Sequence, residues 1–128
     1  MIHEAARPFV TKKEFLKLVY DPCDNAVFGI DIPFTVSKQN NGFISELLKR
    51  DTLACLQTPH KFLKTELLAA HEKAITDNLI FTDDANTLYY YNKCDIKIIP
   101  GQYYNIKITT PVDILTAEII YNEYFTGN

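Results

Sequence analysis

Ala26-Val27-Phe28-Gly29-Ile30-Asp31-Ile32 is the stretch on which the fold turns. It is nearly all apolar at both odd and even positions, so it offers no solvent face. A strand of this kind is covered on both sides and belongs at the centre of a sheet. The segments around it alternate in type. Upstream, Thr11 is followed three residues later by Glu14, a capping box, and Phe15, Leu16, Leu18 and Val19 carry the helix it opens. Tyr20-Asp21-Pro22 stops that helix. Downstream, Phe34 to Lys38 and Phe43 to Leu47 flank Gln39-Asn40-Asn41-Gly42, and Asn-Gly between two short runs predicts a hairpin. Leu53 to Leu56 reads as a further strand closed by Thr58-Pro59.

The outer segments follow the same alternation. Met1-Ile2-His3 reads as a short buried strand entering a loop at Glu4-Ala5-Ala6-Arg7-Pro8. A helix is expected from about Lys64 to Thr76, with Leu67, Leu68, His71 and Ile75 on one face. Thr82 is expected to cap a short helix through Tyr91, with Asp83 and Asp84 placed where the helix dipole favours anions. Ile96 and Ile98 alternate in a strand ending at Pro100-Gly101, and Asn105 to Ile108 forms another short strand. Thr110-Pro111 opens the last helix with Asp113 at its third position, and its buried stripe reads Leu115, Ile119 and Tyr124. Strands alternating with helices, plus one hairpin, give an α/β fold in one domain over residues 1–128.

The chain has 128 residues, 47% hydrophobic and 23% charged, which suits a globular domain and excludes collagen or a disordered tail. Thirteen basic against sixteen acidic residues leave a net charge of −3, which argues against a nucleic-acid coat. No apolar run approaches the roughly 20 residues that span a bilayer, and the N-terminus lacks a signal-peptide layout. The expectation is a cytoplasmic protein that meets neither membrane nor nucleic acid. Cys23, Cys55 and Cys94 are far apart and odd in number, so they read as reduced packing or surface residues. Only four glycines occur, none close to another, so no glycine-rich turn can cradle a polyphosphate. His60 and His71 fit no helical metal pair, and no Gly-x-Ser-x-Gly elbow supports a nucleophile. Residue patterns alone stop at an α/β domain of unassigned chemistry.

Four segments in order go further: Ile2-His3-Glu4-Ala5-Ala6-Arg7-Pro8-Phe9, Gln57-Thr58-Pro59-His60-Lys61-Phe62, Thr82-Asp83-Asp84-Ala85, and Pro100-Gly101 through Asn105-Ile106-Lys107-Ile108-Thr109-Thr110-Pro111. Together they resemble the C-terminal portion of the 2-C-methyl-D-erythritol 4-phosphate cytidylyltransferases and their pentitol-phosphate relatives. The resemblance implies a partial Rossmann-like nucleotidyltransferase sheet with flanking helices and a β-hairpin arm over about residues 33–50. It also implies transfer of a cytidylyl group from CTP to a polyol phosphate, with Mg²⁺ assistance and pyrophosphate leaving. Such chemistry needs cations around crowded phosphates more than a nucleophilic side chain.

Carried over residue by residue, the resemblance implies that Arg7, matching the family's arginine of the same segment, and Lys107, matching a lysine that contacts the substrate phosphate, are catalytic. Glu4 stands where the family has an aspartate, one methylene shorter, that contacts substrate or metal. Arg50 and Thr58 would line the polyol-phosphate pocket, and Thr35 matches an arm threonine, although Pro33-Phe34-Thr35-Val36-Ser37-Lys38 departs from the family's Asp-Thr-x-Lys. The arm would embrace a second copy, giving a homodimer in which Arg50 reaches the neighbour's site. Without the resemblance, Arg7, Arg50 and Lys107 read as solvated charges and Glu4 as a loop carboxylate. Asp83 and Asp84 read as first-turn helix acids, His60 as a loop residue, His71 as a core-edge residue of its helix, and the tyrosines at 89–91 and 103–104 as packing.

The family's nucleotide loop, Pro-Ala-Ala-Gly-x-Gly-x-Arg, is not among these 128 residues, in accord with the glycine count. The expectation is a fragment of a longer enzyme that transfers nothing by itself and carries a raw sheet edge. Two rival readings stand beside the methylerythritol-phosphate enzyme. One is a ribitol 5-phosphate (pentitol-phosphate) cytidylyltransferase, and the other is a non-catalytic dimerisation or binding module.

Overall fold

The computed structural model describes residues 1–126. Strand β1 (Ala26–Asp31) lies between β4 (Ala54–Lys61), antiparallel to it, and β5 (Lys97–Pro100), parallel to it. Ala26, Val27, Phe28 and Gly29 are all buried, as expected of a central strand. On one face Phe28 and Ile99 pack with Ala26 against Leu18 of helix α1 (Lys12–Val19). That helix starts on the expected box: Thr11 Oγ1 accepts from Glu14 N–H, and the Glu14 carboxylate takes the Thr11 N–H at 2.7 Å.

Helix α2 (Lys64–Thr76) packs against α3 (Asp84–Asn92), with Leu67, Ala70 and Leu88 at the centre of the contact. Helix α4 (Pro111–Tyr124) sets Ala117 and Ile120 on Phe9, and Tyr104, Ile106 and Ile108 border them. Its box also forms, with Asp113 accepting from the Thr109 and Thr110 N–H groups at 2.9 and 2.7 Å. The hairpin of β2 (Ser37–Asn40) and β3 (Phe43–Leu47) stands apart as its own two-stranded sheet. Asn41 and Gly42 both have positive φ, +50° and +85°, as a tight Asn-Gly turn requires. Every residue of the two strands is exposed, so the hairpin is an arm.

Several sequence expectations are corrected. Met1-Ile2-His3 is exposed, and only Ile2 makes a bridge, to His60 on the outer edge of β4. Strand β4 does not close at Thr58-Pro59 but runs on to Lys61. Val27 pairs with His60 and Phe28 with Gln57, so Thr58 and Pro59 bulge out of register, where a proline forfeits no ladder hydrogen bond. In α2, Leu68 and Ile75 point outward, and Ala70 and Ala74 take the inner line because α3 approaches closely. In α4, Leu115, Ile119 and Tyr124 are exposed, since Ala117 and Ile120 fix the inward side.

Asp83, not Thr82, caps α3: its carboxylate accepts from Asn86 N–H at 2.8 Å. Ile99 rather than Ile98 is the buried residue of β5. Asn105 to Ile108 forms no strand, and its main-chain bonds run from Asn105 N–H to the Gln102 carbonyl and from Ile108 N–H to the Ala6 carbonyl. The tyrosines form two separate groups. Tyr90 and Tyr91 pack with Phe81, and Tyr104 with Tyr124 and Phe125. Cys23, Cys55 and Cys94 are free thiols. Among the described residues no helix is long and apolar enough to cross a membrane.

Gly101 closes β5 onto the site. A Cβ there would stand 2.4 Å from Oε1 of the buried Gln57 side chain. Gly101→Ala is therefore expected to destabilise the fold by about 1–3 kcal/mol through overpacking. Urea unfolding followed by circular dichroism measures it, and an unchanged midpoint would mean that the Gln57 carboxamide yields freely.

Candidate functional site

The loop after Ile2 turns tightly, with Arg7 N–H donating to the Glu4 carbonyl at 3.1 Å and His3 Nε2 lying 3.0 Å from the Arg7 carbonyl. That turn places Glu4 and Arg7 on the same side. Arg7 Nε donates to Glu4 Oε1 at 2.7 Å, and Lys107 Nζ reaches Glu4 Oε2 at 2.6 Å from the segment before α4. Arg7 Nη1 also donates to the Asn105 carbonyl at 2.8 Å. On the β4 bulge, Thr58 Oγ1 accepts from Glu4 N–H at 3.4 Å, and the Thr58 carbonyl accepts from Asn105 Nδ2 at 3.0 Å. Residues from three distant parts of the chain thus meet at one mouth.

They line an open cavity of about 510 Å³. One carboxylate between two cations leaves a net charge of +1 at this end, suited to an oxyanion. Burial pushes the Glu4 carboxyl up, but the hydrogen bonds and charges of Lys107 and Arg7 outweigh it and hold the group below the usual carboxylate range. The far end is acidic: Asp83 caps α3, and Asp84 holds His71 Nε2 at 2.8 Å.

Of the residues singled out from sequence, Glu4, Arg7, Thr58 and Lys107 come together. Arg50 and Thr35 do not join them. Arg50 sits in a single 3-10 turn (Arg50–Thr52), beside a second cavity with Asp31, Ile32, Pro33 and Asp51, and Thr35 is exposed at the base of the arm. His60 corrects the expectation of a loop residue. It is a buried β4 residue, 2% exposed, lining the cavity with both ring nitrogens unpartnered. Burial lowers its pKa, against the opposing charges of Asp83, Asp84 and Glu4. The bulge put it inside: a strand read as ending at Pro59 leaves His60 in solvent, and a register that skips two residues does not. His71, read as a core-edge residue, lines the same cavity through its Asp84 bond.

A magnesium ion on Glu4 does not fit this arrangement. Both carboxylate oxygens already face a cation, and no cluster of three His, Cys, Asp or Glu able to hold a metal occurs among the described residues. Glu4 instead balances Arg7 and Lys107.

Because Glu4 has a lowered pKa when folded, its pairing stabilises the protein fully above the unfolded carboxylate value. That contribution is lost as pH falls through the lowered folded value. Glu4→Gln should therefore lower the unfolding midpoint at about pH 7 and match the parent at about pH 2. Thermal melts at both pH values check this, and a gap that persists at the lower pH would contradict it.

The family model described as 2-C-methyl-D-erythritol 4-phosphate cytidylyltransferase matches residues 1–123. The chain is 34% identical over 125 residues to the enzyme of that name from Halalkalibacterium halodurans, covering 96% of this chain and 54% of that protein. It is 35% identical over 120 residues to the one from Bacillus cytotoxicus, covering 92% and 53%. The crystal structure of 4-diphosphocytidyl-2C-methyl-D-erythritol synthase from Anaerococcus prevotii superposes with a TM-score of 0.83 at 29% identity, over 94% of this chain and 55% of that one. The Thermus thermophilus cytidylyltransferase gives 0.79 at 25% identity, over 94% and 60%. The chain spans about half the length of the curated relatives it matches. With a family model matched over residues 1–123 and curated relatives 34–35% identical over nearly all of its length, the chain belongs to the 2-C-methyl-D-erythritol 4-phosphate cytidylyltransferase family.

Proposed function

We propose that these residues form the polyol-phosphate side of an enzyme that transfers a cytidylyl group from CTP to 2-C-methyl-D-erythritol 4-phosphate, in isoprenoid biosynthesis. The observation that carries this is the pairing of Arg7 and Lys107 at one cavity mouth, each held by a single shared carboxylate. A phosphate group brings two negative charges to two cations that Glu4 only half neutralises. Arg7, anchored through Nε on Glu4 and Nη1 on the Asn105 carbonyl, brings a fixed positive charge and Lys107 a second one, a combination suited to a phosphate that must keep one oxygen free. That oxygen forms the new bond to the α-phosphorus of CTP, the α–β bridging bond breaks, and pyrophosphate carries away the electron pair. The attacking phosphate is already ionised, so no general base is needed. Thr58 borders the polyol.

Magnesium would supply charge neutralisation at the triphosphate, and the residues here offer it no donor set, so no step is routed through it. The same holds for the nucleotide's glycine-rich cradle, which the chain's four scattered glycines do not form. We therefore expect these 128 residues to bind the polyol phosphate without transferring a cytidylyl group. The names of the matched relatives favour methylerythritol phosphate over a pentitol phosphate. The exposed apolar side chains along β3 of the arm (Phe43, Ile44, Leu47) support a homodimer in which Arg50 and Thr35 serve the neighbouring copy. The working place of such an enzyme is the cytoplasm.

Lys107→Ala is expected to weaken binding of 2-C-methyl-D-erythritol 4-phosphate by about tenfold, the worth of one charge-assisted hydrogen bond. Isothermal titration calorimetry measures it, with circular dichroism to show that the fold is kept. Unchanged affinity in a folded variant would remove Lys107 from the site.

A further inference from the structure

Two buried carboxamides lie directly behind the cation pair and line no part of the cavity. Gln57, 3% exposed, donates through Nε2 to the carbonyls of Gln102 at 3.0 Å and Asn105 at 3.2 Å, and its Oε1 faces Gln102 N–H at 3.3 Å. Asn105, 2% exposed, donates through Nδ2 to the Thr58 carbonyl. The Asn105 carbonyl is a node: it accepts from Gln57 on one side and from Arg7 Nη1 on the other. Lys107 follows two residues later, on a segment with no strand pairing of its own. This pair of amides fixes the Asn105 end of that segment, while the Ile108–Ala6 bond and the packing of Ile106 and Ile108 on Phe9 and α4 hold its far end.

We propose that Gln57 and Asn105 are positioning residues, which set the direction and separation of Arg7 and Lys107 while touching no ligand. The inference rests on reading those two cations as the phosphate grip. Every donor of Gln57 is spent on the 102–105 segment, which leaves Asn105 Oδ1 as the buried atom of this network without a partner. Two uncoupled cations could still attract a phosphate, but without a common geometry each would act as a separate, solvated charge. Gly101 belongs to the same device, since the absence of its Cβ leaves room for Oε1 of Gln57.

Two measurements on Gln57→Met, which keeps length and burial but loses the hydrogen bonds, test this. The first needs no ligand: nitrogen-15 NMR reads solvent exchange of the Arg7 Nε–H, which is expected to quicken at least about tenfold while the Phe28 amide in β1 stays protected. The second is a double-mutant cycle on binding of 2-C-methyl-D-erythritol 4-phosphate. Lys107→Ala should cost about tenfold in the parent and at most about twofold in the Gln57→Met background. Unchanged Arg7 exchange, or a Lys107 increment equal in both backgrounds, overturns the proposal. If the parent binds no polyol phosphate at all, the functional reading fails, and the exchange measurement still decides the positioning. Asn105→Ser, carried through the same measurements, replaces Gln57→Met should that variant not fold.

Discussion

The carboxylate of Glu4 ties the two ends of this chain to each other. One oxygen holds Arg7 in the first loop and the other holds Lys107 just before the last helix. Arg7 has a second anchor in the Asn105 carbonyl, but Glu4 is what the two cations share. Two like charges at hydrogen-bonding distance from one small carboxylate repel each other, and the shared anion offsets that cost. The Arg7–Glu4 pair is partly buried, with side-chain exposures of 15% and 28%, so water screens it less than a surface ion pair, whereas Lys107, 48% exposed, stands nearer the solvent. The rest of the site depends on this arrangement. Around it, the β4 bulge sets Thr58 Oγ1 3.4 Å from Glu4 N, and the 105–108 segment carries Lys107 to the second oxygen.

Much of the fold was legible in the sequence because its signals are local. The apolar Ala26–Asp31 stretch, the boxes at Thr11–Glu14 and Thr110–Asp113, and the Asn41-Gly42 turn each specify their element within a few residues. What failed depends on partners far away in sequence. The inward faces of α2 and α4 run through alanines, because close neighbours, not hydrophobicity, decided which side turned in. The continuation of β4 past Pro59 needed β1 to tolerate a bulge, and with that continuation went the burial of His60.

The site was legible in a different way. Nothing in the alternation of Ile106, Lys107 and Ile108 tells a phosphate ligand from an exposed lysine. The ordered motifs carried that reading, and the structure brings four of the six singled-out residues to one mouth. Glu4 serves as the shared counter-ion of both cations, one carboxylate oxygen on each. The buried amides Gln57 and Asn105 were not legible, since a polar residue in a strand and another in a loop carry no signal until their hydrogen bonds are seen.

If Arg7 and Lys107 act together as a phosphate grip, a crystal structure with 2-C-methyl-D-erythritol 4-phosphate will show the phosphate within hydrogen-bonding distance of both, with Glu4 turned away from at least one of them. A phosphate bound elsewhere, with both Glu4 ion pairs intact, would contradict the grip.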